Sequence, residues 1–354
     1  FVGLIGIYTV ASFRLYQVST GAVTHRWLYL LLGGALVFGT TLLFQPMLFS
    51  DDVFTFMFTG RLLSIYHLNP WVIIPNSIPH DPYLAWVFSG RATFNIFGPL
   101  WLDIAAGLST LSSNPITSLF LFKGFILGTH LFNSLLVWNI LSQIAPERRA
   151  LGTLLYAWCP LALIELAGSG HSEGILLSLL LLATLLYVKL QRANIQRGAQ
   201  QKQDIEESIW GKRQIARFAD VLHSPLLLYV GTLLLFGLAL SINLITLLVV
   251  PLYIWYDLRT ERNIARVFLS FCWRILVVLI PEILFIAPFW TGAETFFNLT
   301  SSVDMDHFVH APVGILAAPL HPLYRALTPH GLSVVLNPDL AADVTIRASA
   351  ALIF

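Results

Sequence analysis

The sequence predicts an all-α protein: a polytopic bundle of transmembrane helices with a large first loop outside the membrane that carries interfacial helices. Three observations predict it. The 354 residues are 56% hydrophobic and only 11% charged, with a mean hydropathy of +0.75, whereas a soluble domain is nearer a quarter charged. Apolar runs long enough to cross about 30 Å of hydrocarbon recur along the chain. The runs are Leu-rich and do not alternate in polarity, which favours helices over a β-barrel.

The elements follow in order. Residues 1–13 read as a partial span and 27–46 as a full one, ended by Pro46. The sequence opens on Phe1 and closes on Phe354 inside apolar runs. Both ends are therefore expected to be truncated, with residues 1–354 forming one transmembrane domain. Residues 47–98 read as an extracytoplasmic loop, aromatic, Pro-rich and polar. Within it, residues 53–66 read as a short helix lying along the membrane surface, with Phe54, Phe58, Leu62 and Ile65 on one stripe. Asn69-Pro70, Pro75, Pro79 and Asp81-Pro82 then force turns. Residues 99–111 form a short apolar helix and 116–141 a span. Segments 151–166 and 175–190 flank the turn Gly168-Ser169-Gly170-His171-Ser172-Glu173-Gly174. Segments 225–240 and 244–256 flank Ser241-Ile242-Asn243, and 267–290 spans.

Orientation follows from the basic residues. Residues 191–222 read as a cytoplasmic loop, because Lys and Arg outnumber Asp and Glu there. Arg148-Arg149 and the group Arg259, Arg262 and Arg266 mark two more cytoplasmic turns. Segment 291–311 has no Lys or Arg and contains Glu294, Asp304 and Asp306. It is expected on the far side, together with Asp51, Asp52 and the His171 turn. The parity holds if residues 99–111 form a partial or re-entrant helix, which is tolerated where it lines a cavity.

Asp51 and Asp52 are the leading candidates for chemistry. Two carboxylates at a membrane boundary are costly to desolvate. One reading is a pair at a helix N-terminus, where negative charge is favoured. The other is a general base for a hydroxyl. Arg61 and Arg91 in the same loop read either as snorkelling side chains or as a clamp on a lipid phosphate. His171 and Glu173, flanked by glycines, suit a phosphate or a sugar hydroxyl. His307 and His310, with Asp304 and Asp306, form a second polar cluster, and no convincing metal site emerges. Lys123, Glu165, Arg274 and Glu282 lie within apolar runs, where charges face a cavity or one another; Lys123 and Glu165 are the expected pair. Cys159 and Cys272 read as packing residues. A net charge of +1 gives no reason to expect nucleic acid.

In combination, these segments resemble the bacterial GT-C glycosyltransferases that use polyprenyl-phosphate mannose. The run SDDVFTFMFTGRLLSIYHLNPW resembles that superfamily's first outer loop: an acidic pair, then Gly-Arg, then Leu-Asn-Pro-aromatic. FNIFGPLW resembles the element that re-enters the membrane after it. CPLALIELAGSGHSEGILLSLLLLA resembles the family's Asn-Pro…Glu…Gly-Gly-His-Asn-Asp stretch. LALSINLITLLVVPLYI resembles a later helix pair ending in Leu-Pro, and APFWTGAET a recurrent outer-loop segment. The chain departs from the pattern at His171-Ser172-Glu173, at Phe97-Gly98-Pro99-Leu100 and at Asn243, where the family carries Lys.

The resemblance implies a GT-C helical bundle in the bacterial inner membrane with its active site on the extracytoplasmic face. It implies transfer of a sugar, mannose by preference, from a polyprenyl-phosphate donor to a glycolipid or glycan acceptor, with inversion. The first-loop aspartate would be the base, Asp51 by position with Asp52 beside it. Arg61, Asn69, Arg91, Lys123, His171, Glu173, His307 and His310 would bind substrate, without a metal or other cofactor. Membrane lipids and other membrane subunits are further expected partners. The departures motivate an alternative reading as a non-catalytic GT-C-fold subunit or scaffold of a larger complex.

Overall fold

A computed structural model describes residues 2–17, 25–46, 50–88, 90–94, 97–207, 225–259, 261–293 and 295. The chain divides into two compact units, Phe1–Thr291 and Gly292–Phe354, and the first is described here. Among its described residues there are helices and no strand. In order they are α1 (Val2–Gln17), α2 (His25–Leu43), α3 (Asp52–Ser64), α4 (Pro99–Ser109), α5 (Pro115–Ile144), α6 (Arg149–Ala157), α7 (Pro160–Leu163), α8 (Glu173–Glu207), α9 (Pro225–Leu240), α10 (Thr246–Leu258) and α11 (Ile264–Ile286).

Four described helices are long and apolar enough to cross a membrane: Arg26–Leu43, Pro115–Ile144, Glu173–Arg197 and Ile264–Phe289. A fifth span results if the pair Pro146–Ala157 and Pro160–Gly168, bent by 48°, counts as one. Proline sets the bend, since Pro160 at the first position of α7 cannot continue α6. At 11 residues, α4 is too short to cross, as the re-entrant expectation requires. The spans leave Leu30, Val37, Leu276 and Leu284 exposed, which gives the bundle a lipid-facing surface.

The core that carries the site is built from aromatic side chains. Val53, Phe54, Phe56, Met57, Phe58 and Leu62 of α3 pack with Trp101 and Ala105 of α4, Phe122 and Ile126 of α5, and Ile175 and Leu176 of α8. The Phe56 ring meets Phe97 edge-on at 4.6 Å and Trp101 at 4.9 Å. This corrects the expectation of a single apolar stripe on α3. Phe54, Phe58 and Leu62 are buried, but so are Val53, Phe56, Met57, Thr59, Gly60 and Arg61 between them, and Ile65 of the expected stripe is exposed. A helix that is apolar nearly all round is a core helix.

At Gly60, α3 lies close against α4. A Cβ placed there would stand 2.4 Å from the Ala105 carbonyl oxygen and 2.4 Å from the Ser109 hydroxyl. Gly60→Ala is therefore expected to force the two helices apart and cost about 1–3 kcal/mol. A lower thermal midpoint of the purified protein, with helicity retained below it, is the measurement.

Candidate active site

The site begins where α2 ends. Lys123, in the N-terminal third of α5, is fully buried. Its Nζ donates to the carbonyl oxygens of Leu42 at 3.2 Å, Leu43 at 2.8 Å and Gln45 at 3.1 Å. These carbonyls lie at and just past the end of α2 and have no further helical turn to accept from. One ammonium thus caps α2 just before the Ser50-Asp51-Asp52 segment, and its three donors are spent on backbone. Lys123 does not pair with Glu165, which lies against His171 instead. Lys123→Met is expected to cost about 1–3 kcal/mol, because the Leu43 and Gln45 carbonyls lose this donor while the Leu42 carbonyl keeps the Gln45 amide. Chemical denaturation in detergent would measure it.

Asp51 is the residue preceding α3 and Asp52 is in its first turn. The Asp51 side chain makes no capping hydrogen bond. Ser50 does the neighbouring work instead, its Oγ accepting from the Asp52 amide at 3.1 Å. The favourable dipole at the α3 start is available to both carboxylates, but side-chain capping does not account for Asp51.

The second arm of the site is the turn between α7 and α8. Ile164–Gly168 forms a single π-helical turn, a widening often found at functional sites. The chain then reverses through Gly170 at φ +76°. A Cβ on Gly170 would lie 3.2 Å from Val53 Cγ2 and 3.5 Å from Lys123 Cγ. Glycine therefore lets this turn rest against the start of α3 and against Lys123. The placement brings His171 within range of the Asp52 charge.

His171 stands between two carboxylates. Its Nε2 is 3.2 Å from Glu165 Oε2 and its Nδ1 is 3.4 Å from Glu173 Oε2. The Nε2 contact is electrostatic, since no hydrogen bond of good geometry reaches that nitrogen. Burial opposes the charged ring, but Glu173, Asp52 and Glu165 outweigh it and raise the His171 pKa above its ordinary value. The Glu173 side chain is half exposed, so a carboxylate at the mouth of the turn is open to a hydroxyl-bearing ligand. Among the described residues no group of three or more His, Cys, Asp or Glu is arranged to hold a metal ion.

The loop arginines are already engaged. Arg61 and Asp81 form a buried pair, Nη2 to Oδ2 at 2.7 Å and Nε to Oδ2 at 3.1 Å. Tyr66 donates its hydroxyl to Asp81 at 2.8 Å, the Tyr83 amide donates to Asp81 at 2.7 Å, and the Tyr83 ring lies under the guanidinium at 4.1 Å. Burial pushes the Asp81 carboxyl up, but its hydrogen bonds from Arg61, Tyr66 and Tyr83 hold it below the ordinary value. Its stabilisation is present above the unfolded pKa and is lost as pH falls through the lowered folded pKa. Arg91 donates to the carbonyls of Val87 and Ala85. Asn69 donates to the Phe289 carbonyl at 2.7 Å and accepts from the Trp71 amide at 3.0 Å. It thereby ties the loop to the end of α11.

Of the sequence candidates, Asp52 and His171 are brought together, with Glu173 on the other side of the ring. Arg61, Asn69 and Lys123 hold the frame. His307, His310, Asp304 and Asp306 lie outside the described residues, as does most of segment 291–311. Two site residues were not singled out for their roles. Asp81 was read only as part of an Asp-Pro turn. Glu165 was assigned to Lys123, although its distance of six residues from His171 across Gly168-Ser169-Gly170 was the available signal.

Comparison with known families decides what this frame belongs to. Residues 2–259 match the family described as alpha-(1->6)-mannopyranosyltransferase, N-terminal domain. The chain belongs to this mannosyltransferase family. Comparison with curated proteins and with solved structures gives no match. The mannosyltransferase is an integral membrane protein, and as a glycosyltransferase it acts on a sugar donor and a glycan acceptor. The matched stretch contains every described candidate from Asp51 to Glu173, so the α2–α3 junction and the π turn are parts of the family's domain.

Proposed function

We propose that this mannosyltransferase takes mannose from a polyprenyl-phosphate donor and transfers it with inversion to a hydroxyl of a glycolipid or glycan acceptor, at the extracytoplasmic face of the bacterial inner membrane. One observation carries the reading. The start of α3, which carries the acidic pair, and the Glu165–His171–Glu173 turn come from distant parts of the chain, yet Gly170 of the turn rests against Val53, the residue after Asp52.

In the step itself the acceptor oxygen attacks the anomeric carbon. The bond from that carbon to the phosphate oxygen breaks, and the acceptor proton passes to an aspartate carboxylate. Asp51 is assigned as the base and Asp52 as its neighbour coupled to His171. The phosphate leaves with the bonding electrons, so a nearby cation or N–H lowers the barrier. Arg61 and Lys123 are spent on Asp81 and on backbone carbonyls. Arg91 is likewise engaged with the Val87 and Ala85 carbonyls, and His171, whose pKa is raised by its carboxylate neighbours, is assigned to the leaving phosphate. Glu173 suits sugar hydroxyls, which donate to a carboxylate. An alpha product formed by inversion requires a beta-configured donor, so the stereochemistry is testable.

The experiment supplies purified protein with beta-linked polyprenyl-phosphate mannose and a mannose-terminated glycolipid. The product's new anomeric centre is then read by NMR. An alpha-linked mannose is expected. A protein that transfers mannose from a nucleotide sugar and not from the lipid donor would refute the reading.

A further inference from the structure

We infer that Glu165 is a positioning residue: from the π turn it sets a carboxylate against Nε2 of His171 and favours the charged ring that would meet the donor phosphate. The inference rests on the proposed role of His171 and adds the group that makes the role possible.

The geometry separates the duties of the two carboxylates. Glu173 lies 3.4 Å from Nδ1 and sits in the first turn of α8. It orients the ring from the open side. Glu165 lies 3.2 Å from Nε2, out of hydrogen-bond alignment. It therefore supplies negative charge beside Nε2, which is buried and has no hydrogen-bond partner, so that its N–H reaches a phosphate oxygen only once the ring turns outward. An isolated imidazole with an ordinary pKa near 6.5 would be mostly neutral at pH 7.5. A neutral ring in this place would offer one N–H and no charge.

The π turn explains why the acid reaches. Glu165 lies inside Ile164–Gly168, where the Ser169 amide donates to the Ile164 carbonyl at 2.8 Å, five residues back. The His171 amide donates to the Glu165 carbonyl at 3.3 Å. The backbone of the acid and of the histidine are thus bonded to each other, and the side chains meet on the same side of the turn.

The other ionisable groups around the ring are Asp52 on α3 and Glu173 on α8, with Lys123 of α5 behind Gly170. The acidic surroundings also bear on turnover. A phosphodiester donor carries one negative charge and its monoester product close to two, so the carboxylates tolerate the donor better than the product. A single fixed cation is then the balance between binding the donor and releasing the product.

The test is the pH dependence of kcat/KM for polyprenyl-phosphate mannose between pH 5.5 and 8.5. It compares wild type, Glu165→Gln, Glu165→Asp and His171→Gln, with the His171 C2–H resonance followed by NMR in the first three. Loss of an adjacent opposite charge typically moves a pKa by about one unit or more. Glu165→Gln is expected to match wild type within about twofold at pH 5.5 and to fall about tenfold below it by pH 8, chiefly through donor KM. Glu165→Asp keeps the charge and is expected to keep the wild-type profile. A Glu165→Gln profile parallel to wild type at every pH overturns the inference, as does a Glu165→Asp profile that shifts like that of Gln. If His171→Gln leaves donor KM unchanged, the phosphate role of His171 fails and the inference fails with it. Weakened donor binding in His171→Gln beside a parallel Glu165→Gln profile refutes the inference alone.

Discussion

Asp51→Asn is expected to lower the rate of mannosyl transfer by about 10²–10⁴-fold, the usual worth of a positioned general base, while the protein still folds and binds donor. Asn keeps the size of the side chain and removes the proton acceptor. The Asp51 side chain makes no capping hydrogen bond to α3, and circular dichroism of the purified variant checks that the fold is kept. Asp52→Asn is expected to act in two ways. It removes the second carboxylate of the pair, and it removes one of the charges that raise the His171 pKa. Its activity should therefore fall more steeply above neutral pH than that of Asp51→Asn. Initial rates across pH for both variants separate the two roles.

Breaking the Arg61–Asp81 pair is expected to be the most damaging single change to stability. Both side chains are almost fully buried, and Asp81 also accepts from Tyr66 and from the Tyr83 amide. Removing one partner leaves the other as an uncompensated buried charge, at a cost of about 3–5 kcal/mol. Arg61→Met should therefore unfold the loop from α3, and Asp81→Asn should do the same with retained volume. The double variant Arg61→Met/Asp81→Asn is expected to be less destabilised than the sum of the two, because no buried charge is left alone. Thermal unfolding of the four proteins forms the cycle. Acid is expected to mimic Asp81→Asn, with stability retained above the ordinary carboxylate range and lost as pH falls through the lowered pKa of Asp81.

Much of this arrangement was legible in the sequence because membrane solvation is a coarse and reliable constraint. Runs of Leu and Ile mark spans, prolines mark their ends, and an 11-residue helix cannot cross. Pro225–Leu240 coincides with its expected bounds, and the α4 start falls at Pro99 as read. The burial of α3 was less legible. Its Phe54–Phe58–Leu62 stripe has the period of a surface helix, and only the added Val53, Phe56 and Met57 show that a second face is apolar.

Partner choice was the least legible feature. Lys123 and Glu165 are both charges within apolar runs, and nothing in their spacing forbids a pair. A lysine in α5 can instead end α2 by satisfying three carbonyls. A π turn can aim Glu165 at a histidine six residues later. Both outcomes depend on tertiary placement. Asp81 was hidden for the same reason, since an Asp-Pro dipeptide reads as a turn whether or not an arginine reaches it.

The central claim is that an aspartate at the start of α3 removes the acceptor proton in mannosyl transfer from a lipid phosphate. Single-turnover rates with saturating donor and acceptor, taken with donor affinity on the same samples of wild type, Asp51→Asn and Asp52→Asn, test it most directly. The account predicts donor affinity within a fewfold of wild type and a chemical step slowed by about 10²–10⁴ in Asp51→Asn. Wild-type single-turnover rates in both variants would contradict it.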